Sequence, residues 1–124
     1  MEHVDIDLAI IGGGVTGLAT AYKALEAMPG KSVAVFEKNL FLGEEQSGRN
    51  SGVVHGGIYY RPGSKKAINC VRGNKELYSF CDEQGVPIAK TGKIIVVIND
   101  KEKKTIESLL ENGKRNGVSG LEII

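Results

Sequence analysis

The sequence predicts an α/β fold built on a strand–turn–helix–strand unit, and three observations predict it. An apolar strand, Ile6 to Ile11, runs straight into Gly12-Gly13-Gly14-Val15-Thr16-Gly17. An alanine-rich helix follows, Leu18 to Met28. A second strand, Ser32 to Phe36, closes on the acidic Glu37. A glycine triplet alone says little; in this order it specifies a Rossmann-like, dinucleotide-binding βαβ unit. Gly12 permits the tight turn, Gly14 lets the backbone approach a pyrophosphate, and Gly17 lets the helix pack close to the strand. The helix N-terminus then presents free N–H groups and a positive dipole end to the phosphates. Glu37 stands twenty residues past Gly17, placed to accept hydrogen bonds from ribose hydroxyls.

The remaining elements follow in chain order. Pro29-Gly30 ends the first helix. Residues 39–63 are glycine-rich with little periodicity, and a long irregular stretch in a compact domain is usually functional. Within it, Gly52 to Tyr60 reads as a short strand with a bend. Pro62-Gly63 is a turn, and Ser64 is placed to cap a helix from Lys65 to Gln84. Ala67, Cys70, Val71, Asn74, Leu77, Tyr78 and Cys81 recur at helical spacing and define its buried face. Gly85 suits its C-terminal end. Lys93 to Ile98 is a β-branched run expected to form a strand. Asn99 and Glu102 form a capping box for a third helix. That helix places Ile106, Leu109 and Leu110 on one face, exposes its lysines and glutamates, and ends near Asn116-Gly117. Leu121 begins another strand.

Composition narrows the function classes. The net charge of +1 gives no field that would gather nucleic acid or anionic lipid. No apolar run approaches the ~20 residues of a membrane span. The first strand starts too near Met1 for a cleavable signal, so a cytoplasmic protein, peripheral to the membrane at most, is expected. Cys70 and Cys81 fall on one helix about 16 Å apart, too far to pair, and are expected as buried free thiols. The only histidines are His3 and His55, so no metal cluster is expected. A doubly wound sheet normally has five or six strands. Only two clear parallel strands are read here, so the chain is expected to be the truncated N-terminal part of a larger enzyme. The boundaries expected are 1–88 for a partial nucleotide-binding domain and 89–124 for the beginning of an α+β substrate domain.

Four segments together carry a family resemblance: Ile10 to Gly17 with Glu37, Ser47 to Tyr60, Pro62 to Ala67, and Thr91 to Val96. The chain resembles the FAD-dependent oxidoreductases of the D-amino-acid oxidase superfamily, and within it the L-2-hydroxyglutarate oxidase/dehydrogenase group. The resemblance implies FAD as cofactor, a 2-hydroxy acid as substrate, and oxygen or a quinone as electron acceptor. It implies FAD contacts at Gly12, Gly14, Val15, Thr16, Gly17, Glu37, Ser47, Asn50 and Ser51. It places His55 near flavin and substrate, where an imidazole is the natural base. Arg61 is a candidate for the substrate carboxylate, and at most one of Tyr59 and Tyr60 is expected to face the pocket. Arg49 is read equally as a phosphate contact or a solvated charge, and Lys38 as a surface charge. The later part of such an enzyme, which adds sheet strands and cradles the flavin, would be a necessary partner. Three other readings stay open: an FAD-dependent glycerol-3-phosphate dehydrogenase, an NAD-binding module, and a non-catalytic remnant.

Overall fold

A computed structural model describes residues 3–124, without the side chains of residues 100 and 101. The chain forms two compact units, one ending at Gly52 and the other spanning Val53–Ile124. The division does not follow the 88/89 boundary expected from the sequence. The helix after Ser64 packs with what surrounds it in the second unit.

The first unit is the expected βαβ. Strand β1 (Leu8–Ile11) lies parallel to β2 (Val33–Phe36), with Leu8 opposite Val33 and Ile11 opposite Phe36. Helix α1 (Val15–Ala27) packs on both strands. β1 begins at Leu8, not Ile6. Just before it, side chains take over from the ladder: the Asp7 carboxylate accepts from the Ser32 N–H at 2.8 Å and from Lys31 Nζ at 2.8 Å. α1 begins at Val15, three residues before the expected Leu18, because Gly14 in extended conformation already serves as its N-cap. The first helical bond, from the Leu18 N–H to the Gly14 carbonyl, measures 3.0 Å. Gly17 therefore lies inside the first turn of the helix.

The second unit holds α2 (Lys65–Glu83) and α3 (Asp100–Arg115). Both caps are those expected. Ser64 Oγ accepts from the Ala67 N–H at 3.2 Å, and Asn99 Oδ1 accepts from the Glu102 N–H at 3.1 Å. The capping box is shifted by one residue: Glu102 reaches back to the Ile98 N–H rather than that of Asn99. On α2, Ala67 and Cys81 are buried, and Cys70, Val71, Asn74 and Tyr78 are half-buried. Leu77 is a correction: it is 40% exposed and does not join the buried face. Ile106, Leu109 and Leu110 of α3 are half-buried on one side, as expected.

Three expected strands are absent among the described residues: at 52–60, at 93–98 and from Leu121. A strand exists only when a neighbour takes up its N–H and C=O groups. The run at 93–98 has the right residue types and finds no such neighbour among the described residues, where Ile94 and Ile98 stand 77% and 85% exposed. The segment at 53–60 is different. It is irregular, and it forms the centre around which α2, α3 and the chain after α3 pack. A Cβ on Gly57 would meet Val71 Cγ2 at 2.9 Å, one on Gly113 would meet Ile58 Cγ1 at 3.1 Å, and one on Gly56 would meet Val118 Cγ1 at 3.7 Å.

Candidate functional site

The glycine turn of the first unit is the better-formed candidate. Gly12 has φ +107°, a conformation side chains rarely adopt, so glycine is required there. A Cβ on Gly17 would fall on the Gly12 carbonyl oxygen, so the glycine in the first helical turn is what lets the turn close. Gly13, between the motif glycines, is closely approached by a side chain from the following loop. A Cβ there would meet Leu42 Cδ2 at 2.5 Å. Its N–H donates to Glu37 Oε2 at 2.7 Å, and its carbonyl accepts from the Gly43 N–H at 3.0 Å.

Glu37 is thus held at the turn before any ligand is considered. Its other oxygen, Oε1, accepts from the Asn39 N–H at 2.9 Å. The Asn39 N–H first, then that of Gly13, hold the carboxyl below its ordinary pKa, so it is an acceptor-only carboxylate at neutral pH. A carboxylate has about four acceptor positions. Backbone N–H groups take part of this capacity, and what remains can accept from ligand hydroxyls.

Ser47 enters the same site from 32 positions away: its Oγ accepts from the Val15 N–H at 2.8 Å. It caps α1, whose own N-cap, Gly14, has no side chain to do so. The helix supplies no acceptor for the N–H groups of Thr16 and Gly17 in the same turn. N–H donors at a helix N-terminus, glycines where a Cβ would obstruct, and an ionised acceptor nearby form a donor and acceptor set that fits a pyrophosphate and a ribose. Residues 12, 14–17, 37 and 47 therefore come together in one unit.

Asn50 and Ser51 are placed differently. The Asn50 amide is engaged within its own loop: Nδ2 donates to the Gln46 and Ser47 carbonyls at 2.9 Å each, and Oδ1 accepts from the Gly52 N–H at 2.7 Å. That makes it the lock of the turn that carries Ser47. Ser51 is exposed. Arg49 is also exposed, and Lys38 pairs with Glu45 at 2.6 Å on the surface.

In the second unit His55 is exposed, with its carbonyl turned inward. That carbonyl accepts from Asn74 Nδ2 at 3.2 Å and from the Cys70 thiol at 3.3 Å. Burial raises the Cys70 pKa, which keeps the thiol protonated and able to donate. Both cysteines are free, Cys81 buried and Cys70 half-buried. Tyr60 is the more covered of the tyrosine pair, while Lys93 Nζ sits 4.6 Å from the centre of the Tyr59 ring. Arg61 is exposed beside the Pro62-Gly63-Ser64 turn.

Sequence reasoning missed Gly13, Asn74 and Asn116. The triple glycine was a signal for Gly13. Periodicity marks Asn74 only as one position of a buried face, and Asn116 only as a helix end. No helix among the described residues is long and apolar enough to cross a membrane.

Comparison with known proteins agrees with this geometry. A family profile described as "FAD dependent oxidoreductase" matches residues 7–124. A protein of Nematostella vectensis named "L-2-hydroxyglutarate dehydrogenase, mitochondrial" is 48% identical over 99% of this chain and 26% of its own length. "L-2-hydroxyglutarate dehydrogenase" of Indibacter alkaliphilus is 44% identical over 98% of the chain and 30% of its own length. The Homo sapiens protein, again named mitochondrial, is 43% identical over 95% and 26%. The chain thus spans between a quarter and a third of the length of these relatives. The printed names of the animal relatives give no support to a cytoplasmic location, and none of these names supports the glycerol-3-phosphate reading. A match that begins one residue before β1 and runs to Ile124, across the turn whose glycines and carboxylate the fold brings together, shows that this chain belongs to the FAD-dependent oxidoreductase family.

Proposed function

We propose that the protein carrying this chain oxidises L-2-hydroxyglutarate, or a 2-hydroxy acid like it, with FAD held at the glycine turn. The observation that carries this is the Glu37 clasp on Gly13, which readies an ionised acceptor for a ribose at the end of β2. Membership of an FAD-dependent family favours flavin over nicotinamide. The substrate is carried over from the names of relatives 43–48% identical to this chain.

FAD supplies the hydride acceptor. The work left to this chain is binding and proton handling. The N–H groups at the start of α1 hold the pyrophosphate, Glu37 holds the ribose, and Ser47 fixes the first turn of α1. His55 takes the hydroxyl proton of the substrate, and Arg61 binds its carboxylate with a planar pair of donors. The stretch 89–124 is the start of the part that encloses the substrate. Oxygen or a quinone accepts the electrons.

The test uses the full-length protein. Denaturation should release free flavin, since no cysteine lies in the turn and His55 is assigned to chemistry. Colour that stays with the precipitated chain counts against it. His55→Gln should retain FAD and slow anaerobic flavin reduction by L-2-hydroxyglutarate by about 10²–10⁴-fold. Reduction at the wild-type rate would show that His55 is not the base.

A further inference from the structure

The segment carrying His55 has no strand partner, and glycines at 52, 56 and 57 loosen it; Gly52 and Gly57 have φ +64° and +95°. Such a stretch has many accessible conformations unless something outside it takes up its carbonyls. Two asparagines do so, by the same device. Asn74 of α2 spreads its amide N–H groups over the Val54 and His55 carbonyls at 3.5 and 3.2 Å. Asn116, which caps α3, spreads its own over the Gly57 and Tyr60 carbonyls at 3.0 and 2.9 Å. One clamp stands on each side of Gly56. The Asn116 Oδ1 is buried with no partner, so the amide is kept for its donors, at the expense of an orphaned acceptor.

We infer that Asn74 and Asn116 are positioning residues that fix the path of residues 54–60 and, through it, the direction in which His55 is presented. Neither needs to touch substrate. Backbone torsions at residue 55 set the direction of its Cα–Cβ bond, and an asparagine on its carbonyl holds those torsions. Residues 57–60 form a turn closed by a long 3.3 Å bond from the Tyr60 N–H to the Gly57 carbonyl, which the second clamp reinforces. The inference rests on His55 as the base proposed above.

Asn74→Asp and Asn116→Asp keep shape but replace donors by lone pairs that oppose the carbonyls. In the full-length holoenzyme each should slow flavin reduction by L-2-hydroxyglutarate by about tenfold or more, since small misplacements of a catalytic group are costly. The deciding readout is the same substitution made in a His55→Gln background. If the asparagine acts through His55, its loss there adds less than about twofold. An equal loss in both backgrounds overturns the positioning role and leaves His55 standing. A His55→Gln enzyme as fast as wild type overturns the role of His55, and the positioning role with it. Asn74→Gln, which keeps both donors on a longer stem, should recover part of the rate, and replaces Asn74→Asp if that variant does not retain flavin. Hydrogen exchange needs no turnover. Residues 54–60 should exchange faster in both Asp variants while residues 12–17 do not change. Unchanged exchange at 54–60 overturns the clamp even if the protein acts on another substrate.

Discussion

The glycine turn at 12–17, which runs into α1, and the irregular segment at 53–60 are both glycine-rich, yet they are held by different means. The turn is held by its neighbours in a βαβ unit. The Gly12 N–H donates to the Phe36 carbonyl at 2.7 Å, continuing the strand ladder, and Gly17 leaves room for the Gly12 carbonyl. The 53–60 segment has no ladder. Its carbonyls are taken up by side chains from α2 and from the end of α3. The first arrangement repeats wherever strand, turn and helix meet, so its glycine spacing is a motif. The second depends on which side chain the tertiary fold brings to which carbonyl, so it has no local signature.

The largest expected effect is Gly17→Ala. The new Cβ falls on the Gly12 carbonyl oxygen, and overlap with rigid backbone should cost about 3 kcal/mol, the top of the usual overpacking range. The full-length protein should be purified without flavin and lose exchange protection at 8–18. Gly57→Ala is the counterpart, with a Cβ 2.9 Å from Val71 Cγ2 at a backbone φ of +95°. It should cost about 1–3 kcal/mol and expose residues 54–60 to exchange. If either variant loosened both stretches alike, the two would not be separately held.

Glu37 gives the next effect. Glu37→Ala should weaken FAD binding by about tenfold or more, because charge-assisted hydrogen bonds are lost. An unchanged dissociation constant would show that another group holds the ribose. The pH dependence follows from the same bonds. The Glu37 carboxyl is held below its ordinary 4.5, so the unfolded chain binds its proton first as pH falls. Its stabilising contribution is complete above 4.5 and is lost as pH drops through the depressed folded value. Flavin release on acidification should therefore shift to higher pH in Glu37→Ala, and pH-jump fluorescence would read it.

The smallest effects compare caps. Ser64→Ala removes a cap that accepts from an N–H three residues on, and Ser47→Ala removes one made across 32 positions. Each should cost about 1 kcal/mol of stability by denaturant titration. Only Ser47→Ala should also weaken FAD binding. Equal flavin affinity in the two would make Ser47 a cap and nothing more.

The sequence by itself determined most features whose cause is local, though not the early start of α1 on Gly14. The βαβ order, the positive-φ glycine at position 12, the start of α2 at Ser64 and the capping of α3 by Asn99 all follow from residues within a few positions of one another. The run at 93–98 is expected as a strand for the same reason, and among the described residues it finds no neighbour to pair with. Its β-branched residues favour extended backbone, but a strand also needs a neighbour, and no local pattern supplies one. Tertiary structure decided what depends on distance along the chain. It put Ser47 on the Val15 N–H, folded Gly43 onto Gly13, left Leu77 exposed, and gave the carbonyls of residues 54–60 to Asn74 and Asn116. The physical reason is one of range. Helix caps and glycine torsions are fixed by covalent neighbours, whereas an asparagine's donors go to whichever unsatisfied carbonyl the packed fold leaves within reach.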